Sequence, residues 1–166
     1  MTTVRPARSD DARAMSEIFH AAAAVGWAHF LPGGELAAEP LRPEVYAAAL
    51  RAPEVTVFAA EHGGRVVGFA VTRESQDGDA DRGVAELHML YVHPDAWGGG
   101  AARLLMAQAL AHFRSGGYAE ATLWTAVDNH RPRAFYERHG WVPDGTRRSK
   151  TRFGVTFTEL RYRTAP

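Results

Sequence analysis

The sequence predicts an α+β fold around a mixed sheet, and three observations carry that prediction. Three β-rich runs, 55–60, 66–71 and 84–92, follow one another across turns, the pattern of an antiparallel meander. A glycine turn at 98–100 and a strongly periodic helix then separate the third run from a further β-rich run at 121–127. Strand, helix and strand in that order imply a parallel crossover. The chain has 166 residues, 46% hydrophobic and 23% charged, which suits a single globular domain over residues 1–166 with one buried core.

Val4 begins a short first strand. Ser9-Asp10-Asp11 reads as a helix N-terminus, a capping hydroxyl followed by carboxylates on the positive end of the helix dipole. Met15, Ile18, Phe19 and Ala22 follow at helical spacing, and Gly26 ends that helix or lies just past it. Residues 31–43 hold three prolines and a Gly-Gly pair and read as a loop. Pro43 to Arg51 can be a short helix with proline in its first turn. His62-Gly63-Gly64 joins the next two strands as a hairpin, and Ser75 to Gly83 is an acidic, glycine-containing turn.

Val84 to Val92 is a long strand that His93-Pro94-Asp95 stops. In the helix that follows, Ala102, Leu105, Met106, Ala109, Leu110 and Phe113 keep the i, i+3, i+4, i+7, i+8, i+11 spacing of one apolar face. Gly116-Gly117 ends it. Asn129 opens a last helix that stops at Gly140, a suitable residue just past a helix end. Residues 141–163 supply two more strands around a basic turn at Arg147–Arg152, so the order is β-α-α-β-β-β-α-β-α-β-β.

Composition removes several function classes. Without cysteine there is no disulfide framework, no thiolate nucleophile and no Cys-ligated zinc. The eight histidines show no HExxH or similar spacing, so no metal is expected. Nineteen basic and nineteen acidic residues balance to zero, which argues against a nucleic-acid partner. The N-terminal residues lack the apolar stretch of a signal peptide, and the longest apolar run, Ala21 to Ala28, is far below the ~20 residues needed to span a bilayer. The expectation is a cytoplasmic protein with no membrane partner.

Gly98-Gly99-Gly100-Ala101-Ala102 lies between a strand and a helix. Small residues at a helix N-terminus let a phosphate approach unpaired N–H groups, although a plain flexible turn is the alternative. A Walker A loop would need lysine after its last glycine, and the only lysine is Lys150. A dinucleotide fingerprint would need Gly or Ala where Arg103 stands.

Leu90 to Leu105 resembles the acetyl-CoA signature of the GNAT superfamily of N-acetyltransferases, Gln/Arg-x-x-Gly-x-Gly/Ala in a strand–loop–helix unit. A second segment, Asn129, Phe135-Tyr136-Glu137 and Gly140-Trp141, resembles that family's Asn…Phe-Tyr-Glu…Gly-Phe block. The resemblance covers residues 3–163, and it departs at Trp97, where Gln or Arg is usual. It implies a GNAT-like, mostly antiparallel sheet of about seven strands, helices on both faces, and a V-shaped splay between strands 4 and 5. It implies acetyl-CoA as cosubstrate, with Leu90 and Val92 offering main-chain groups to pantetheine as an added strand would. Gly98, Gly100, Ala101, Ala102 and Arg103 would hold the pyrophosphate, Trp97 and Gly99 would be further cofactor-binding residues of the same turn, and Asn129 would meet the pantetheine arm. A homodimer is that family's habit.

Acetyl transfer to an amine needs a proton acceptor for the amine and a donor for the leaving thiolate. The resemblance makes Tyr136 the acid candidate, with a core-packed helix tyrosine as the alternative. Glu86, a carboxylate in an otherwise apolar strand, is the base candidate, and burial would raise its pKa; a hydrogen-bonded structural carboxylate is the alternative. Strand alternation sets His88 on the same face, as a second base, a substrate-orienting residue or a core histidine. Trp27 and Phe30 precede the segment where the family builds its acceptor pocket, so they are the substrate-binding candidates with His88; packing in the core is the alternative. Trp124 reads as core.

The expected function is transfer of acetyl from acetyl-CoA to a primary amine, on a small molecule or a peptide N-terminus. Zero cysteines favour direct attack in a ternary complex over an acyl-enzyme. The rival readings are a non-catalytic acyl-CoA-binding sensor and a toxin that acetylates aminoacyl-tRNA.

Overall fold

Seven strands, β1 (Thr2–Pro6), β2 (Val55–His62), β3 (Arg65–Glu74), β4 (Val84–Val92), β5 (Glu120–Ala126), β6 (Val142–Arg152) and β7 (Val155–Thr164), make one sheet. Their order is β1-β2-β3-β4-β5-β7-β6 in a computed structural model that describes every residue from Met1 to Pro166. Only β4 and β5 run parallel, and every other neighbouring pair is antiparallel. This is the mostly antiparallel mixed sheet expected of the sequence.

Five helices complete the chain: α1 (Ala12–Gly26), α2 (Gly33–Ala38), α3 (Pro43–Arg51), α4 (Ala101–Ser115) and α5 (His130–Arg138). Successive strand side chains point to opposite faces. Val57, Phe69 and Val71 therefore meet Met15 and Ile18 of α1 and Tyr46 of α3 on one face. Phe58, Ala60 and Ala70 meet Leu105, Met106 and Phe113 of α4 on the other. The periodic face of α4 is thus buried as its spacing requires, with Ala102 and Leu110 at its margin.

Three local expectations are corrected. Ser9 caps nothing. A 3-10 turn spans Ser9–Asp11, and the Asp11 carboxylate accepts the Arg8 N–H at 2.7 Å while the Arg5 guanidinium grips it at 2.8 and 3.0 Å. Residues 31–43 contain α2, because Pro32 precedes the helix and Pro40 and Pro43 follow it; prolines at helix borders do not break them. The basic run Arg147–Arg152 lies in β6 itself. The hairpin turns at Phe153-Gly154, both at positive φ (50° and 72°), as a two-residue primed turn requires.

Candidate active site

β4 and β5 pair through three registers only, Val84↔Glu120, Ala85↔Ala121 and Glu86↔Thr122, and then diverge. The cause lies in β4. Val71 of β3 stands opposite Met89 and Thr72 opposite Leu87, so His88 is an extra residue, a bulge that bends its strand. The bulge also switches the alternation. Ala85 and Leu87 face α4 before it, and Leu90 and Val92 face α4 after it. Met89 and Tyr91 turn toward α1.

The divergence opens a cavity of about 790 Å³ between the ends of β4 and β5. The His93 N–H donates to Val67 O at 2.8 Å, so by two-residue alternation the peptide groups of Leu90 and Val92 turn away from β3 into the gap. The Val92 carbonyl accepts the Trp97 indole N–H at 2.8 Å.

The turn after β4 forms one end of the cavity. Gly98 and Gly100 have φ of +83° and +84°, the left-handed region that favours glycine, and a Cβ at either would meet nothing. Their role is to set the backbone. The N–H groups of Gly98, Gly100, Ala101, Ala102 and Arg103 donate to no protein acceptor, and all five residues line the cavity at the start of α4. Such a set fits an anion. Gly99 does not join it. Its N–H donates to Ala96 O at 3.2 Å and it lies outside the cavity wall, which corrects its place among the expected cofactor-binding residues.

Asn129 lines the opposite wall at the start of α5, its Nδ2 3.3 Å from Thr125 Oγ1. Tyr136, one turn and a half along α5, is 9% exposed, and its hydroxyl takes no partner from the protein. Burial pushes its pKa up, so the phenol keeps its proton at neutral pH. α5 is held to the sheet by a relay absent from the sequence reading. Arg133 donates to Val127 O at 2.7 Å and to the Tyr162 hydroxyl at 3.0 Å, and that hydroxyl donates to Glu137 at 2.7 Å. Arg133 and Glu137 stand four residues apart on α5, and no local spacing pairs them with Tyr162, which comes from β7.

Glu86 is only 5% exposed and is not part of the cavity wall. Its carboxylate takes Arg73 Nε at 2.9 Å and His88 Nδ1 at 3.2 Å. Burial pushes its pKa up, but the hydrogen bonds from His88 and Arg73 outweigh burial, and the carboxyl sits below its ordinary value. The expected rise in pKa is thereby corrected. His88 does line the cavity, with its ring reaching back to Glu86.

Trp27 and Phe30, after α1, line the far end, where Phe30 packs edge-on against Phe157 of β7 (5.6 Å). His29 reaches the Asp128 carbonyl and stacks on His130, bringing the segment after α1 against the start of α5. Trp124 is not core. It lines the cavity, donates to Asp77 at 3.0 Å and carries Arg148 on its ring. Arg161 ties Asp77 and Asp79 of the β3–β4 connection to Asp144 beside it.

The sequence model of the acetyltransferase (GNAT) family matches residues 19–141. An uncharacterized N-acetyltransferase of Mycobacterium tuberculosis is 34% identical over 102 residues, 61% of this chain and 62% of the relative. The chain thus spans less than two thirds of that relative's length. A mycothiol acetyltransferase of Streptomyces avermitilis is 33% identical over 107 residues, 64% of this chain and 30% of the relative. Among solved structures, PaiA N-acetyltransferase from Thermoplasma acidophilum, in complex with coenzyme A, superposes with a TM-score of 0.79 at 16% identity, covering 100% of this chain and 99% of that one. A ribosomal-protein-alanine N-acetyltransferase from Brucella melitensis gives 0.81 at 22% identity, with 99% of each chain covered. At those identities the likeness is one of fold. The splayed sheet, the unpaired N–H groups at the start of α4 and the match over residues 19–141 converge: the chain belongs to the GNAT acetyltransferase family.

Proposed function

We propose that this enzyme transfers the acetyl group of acetyl-CoA to a primary amine, on a small molecule or a peptide N-terminus, by direct attack in a ternary complex. One observation carries the reading: a gap between two parallel strands leads from five unspent N–H donors, past the Leu90 peptide and the Val92 N–H that face away from β3, to His88 and Tyr136. The donors fit a pyrophosphate and the strand edges fit the amide groups of a pantetheine arm.

The amine attacks the thioester carbonyl as the neutral base, so its proton must leave. With Nδ1–H donated to Glu86, His88 keeps a lone pair on Nε2 and acts as acceptor, while Glu86, fixed by Arg73, orients the ring. The new C–N bond forms as the C–S bond breaks, and the Tyr136 phenol protonates the leaving thiolate. Both residues return to their starting states by exchange with solvent. Direct transfer accords with the absence of cysteine. The wall of Trp27, Phe30 and Phe157 suits an acceptor with an apolar body beside its amine.

The test is thiol release from acetyl-CoA against a panel of small amines and N-terminal peptides. Thiol-specific detection has no background from a protein without cysteine. Acceptor-dependent release with a mass increase on the amine is the expected result. Tight CoA binding with no release on any amine would favour the sensor.

A further inference from the structure

Trp97 stands where the family signature usually has a polar side chain. Its indole N–H is committed to the Val92 carbonyl, so it donates nothing to a ligand. Its ring face is used instead. The Arg131 guanidinium lies 4.1 Å from the ring centroid, within the range of a cation–π contact. Trp97 belongs to the turn after β4 and Arg131 to the first turn of α5, so the pair bridges the two walls of the cavity, and both residues line it.

Arg131 is otherwise unspent: it makes no ion pair and no hydrogen bond within the protein. A cation in the first turn of a helix also opposes the positive end of the dipole. The cavity offers it no relief, since Glu159 is the only carboxylate in the wall and is paired with Arg148. Arg131 thus presents a planar fork of donors, which matches a phosphate, beside the N–H groups of Gly98 and Gly100 to Arg103.

We propose that Arg131, laid on the Trp97 indole, grips a phosphate oxyanion of the CoA cosubstrate, the pyrophosphate where it leaves the α4 cradle. Trp97 acts as the positioning residue that holds the guanidinium across the gap. The proposal rests on reading the cavity as an acyl-CoA site.

The test measures affinity of purified protein for CoA and for dephospho-CoA, which lacks the 3′-phosphate, in the wild type and in Arg131→Gln. The variant is expected to lose about ten- to a hundredfold for both ligands, the scale of a hydrogen bond to a charged group. The loss should shrink between about 0.05 and 1 M salt, because an accessible charge pair is screened. A loss confined to CoA would overturn the pyrophosphate assignment, because the two ligands differ only in the 3′-phosphate. Trp97→Leu should weaken CoA alone but add little to Arg131→Gln, and Trp97→Phe, which keeps a ring, should retain most of the affinity. Unchanged CoA affinity in Arg131→Gln, or a loss indifferent to salt, would overturn the role. Failure of the wild type to bind CoA would instead remove the acyl-CoA reading itself.

Discussion

Tyr136 has a buried ring in the core and a hydroxyl without a protein partner, a combination that sets the phenol apart from a purely structural one. Tyr136→Phe keeps the packing and removes the proton. The expected result is a fall in kcat of about 10²–10⁴-fold with acetyl-CoA affinity nearly intact, measured by steady-state turnover and equilibrium binding. Unchanged turnover would take Tyr136 out of the acid role. His88 and Glu86 separate in the same way. His88→Gln should remove the proton acceptor and lower kcat by about 10²–10⁴-fold, measured by steady-state turnover. Glu86→Gln still offers an oxygen to Nδ1, so a smaller loss of about 10–100-fold is expected, the scale of a residue acting through another. A Glu86→Gln defect larger than that of His88→Gln would reverse their order.

At the scale of elements, the site depends on how closely α4 approaches β3 and β4. Gly68 marks that approach: a Cβ there would sit 2.9 Å from the Tyr91 carbonyl and 3.2 Å from Leu105 Cδ1. Gly68→Ala must move β4 or α4, at a cost of about 1–3 kcal/mol, the scale of overpacking. Its melting temperature should fall by roughly 2–4 °C for each kcal/mol. Gly100 makes the opposite case. A Cβ there meets no atom, but the left-handed backbone costs about 1–2 kcal/mol for any residue with a Cβ. Gly100→Ala should relax the turn and weaken acetyl-CoA binding more than it lowers melting temperature. Equal effects in both assays would mean that the turn is merely structural.

The whole molecule has no net charge, and no helix is long and apolar enough to cross a membrane. Its pH response therefore comes from particular carboxylates. Asp11, bonded by the Arg5 guanidinium, and Glu86, bonded by His88 and Arg73 against the pull of burial, both have pKa values below the ordinary range. A carboxyl whose folded pKa is lowered stabilises the fold above its unfolded pKa, and that stability disappears as pH falls through the folded value. Urea midpoints should be level near neutrality and decline below about pH 4–5, where unfolded carboxyls take up protons. Glu86→Gln should be less stable than the wild type at pH 7, with the gap closing in acid. A gap that stays constant with pH would separate Glu86 from this linkage.

Much of the fold was legible because its signals are local. Two glycines between β-rich runs give a primed turn at Gly63-Gly64, and proline in a first turn marks the start of α3. α2 was missed because Pro32, Pro40 and Pro43 border it instead of interrupting it. At the site, the spacing from Asn129 to Tyr136 to Gly140 brought the right helix to the cavity. It carried no information on Arg131, whose role depends on a ring more than thirty positions away. Glu86 read as a base because an acid in an apolar strand is costly. The partners that offset the cost, Arg73 and His88, also hold it back from the cavity.

By itself the sequence determined the alternation that buries two faces of a sheet, the periodic face of α4 and the glycines that free its first N–H groups. These follow from backbone sterics and side-chain spacing, which act within a few residues. The tertiary structure alone decided that His88 and not Glu86 meets the cavity, that Gly99 turns away from the cradle, and that Arg131 lies on Trp97. It also joined Phe30 to Phe157 and His29 to Asp128 across the site. The physical reason is that a charge, a hydrogen bond or an aromatic face acts at its position in space, and that position is reached only when distant segments have packed.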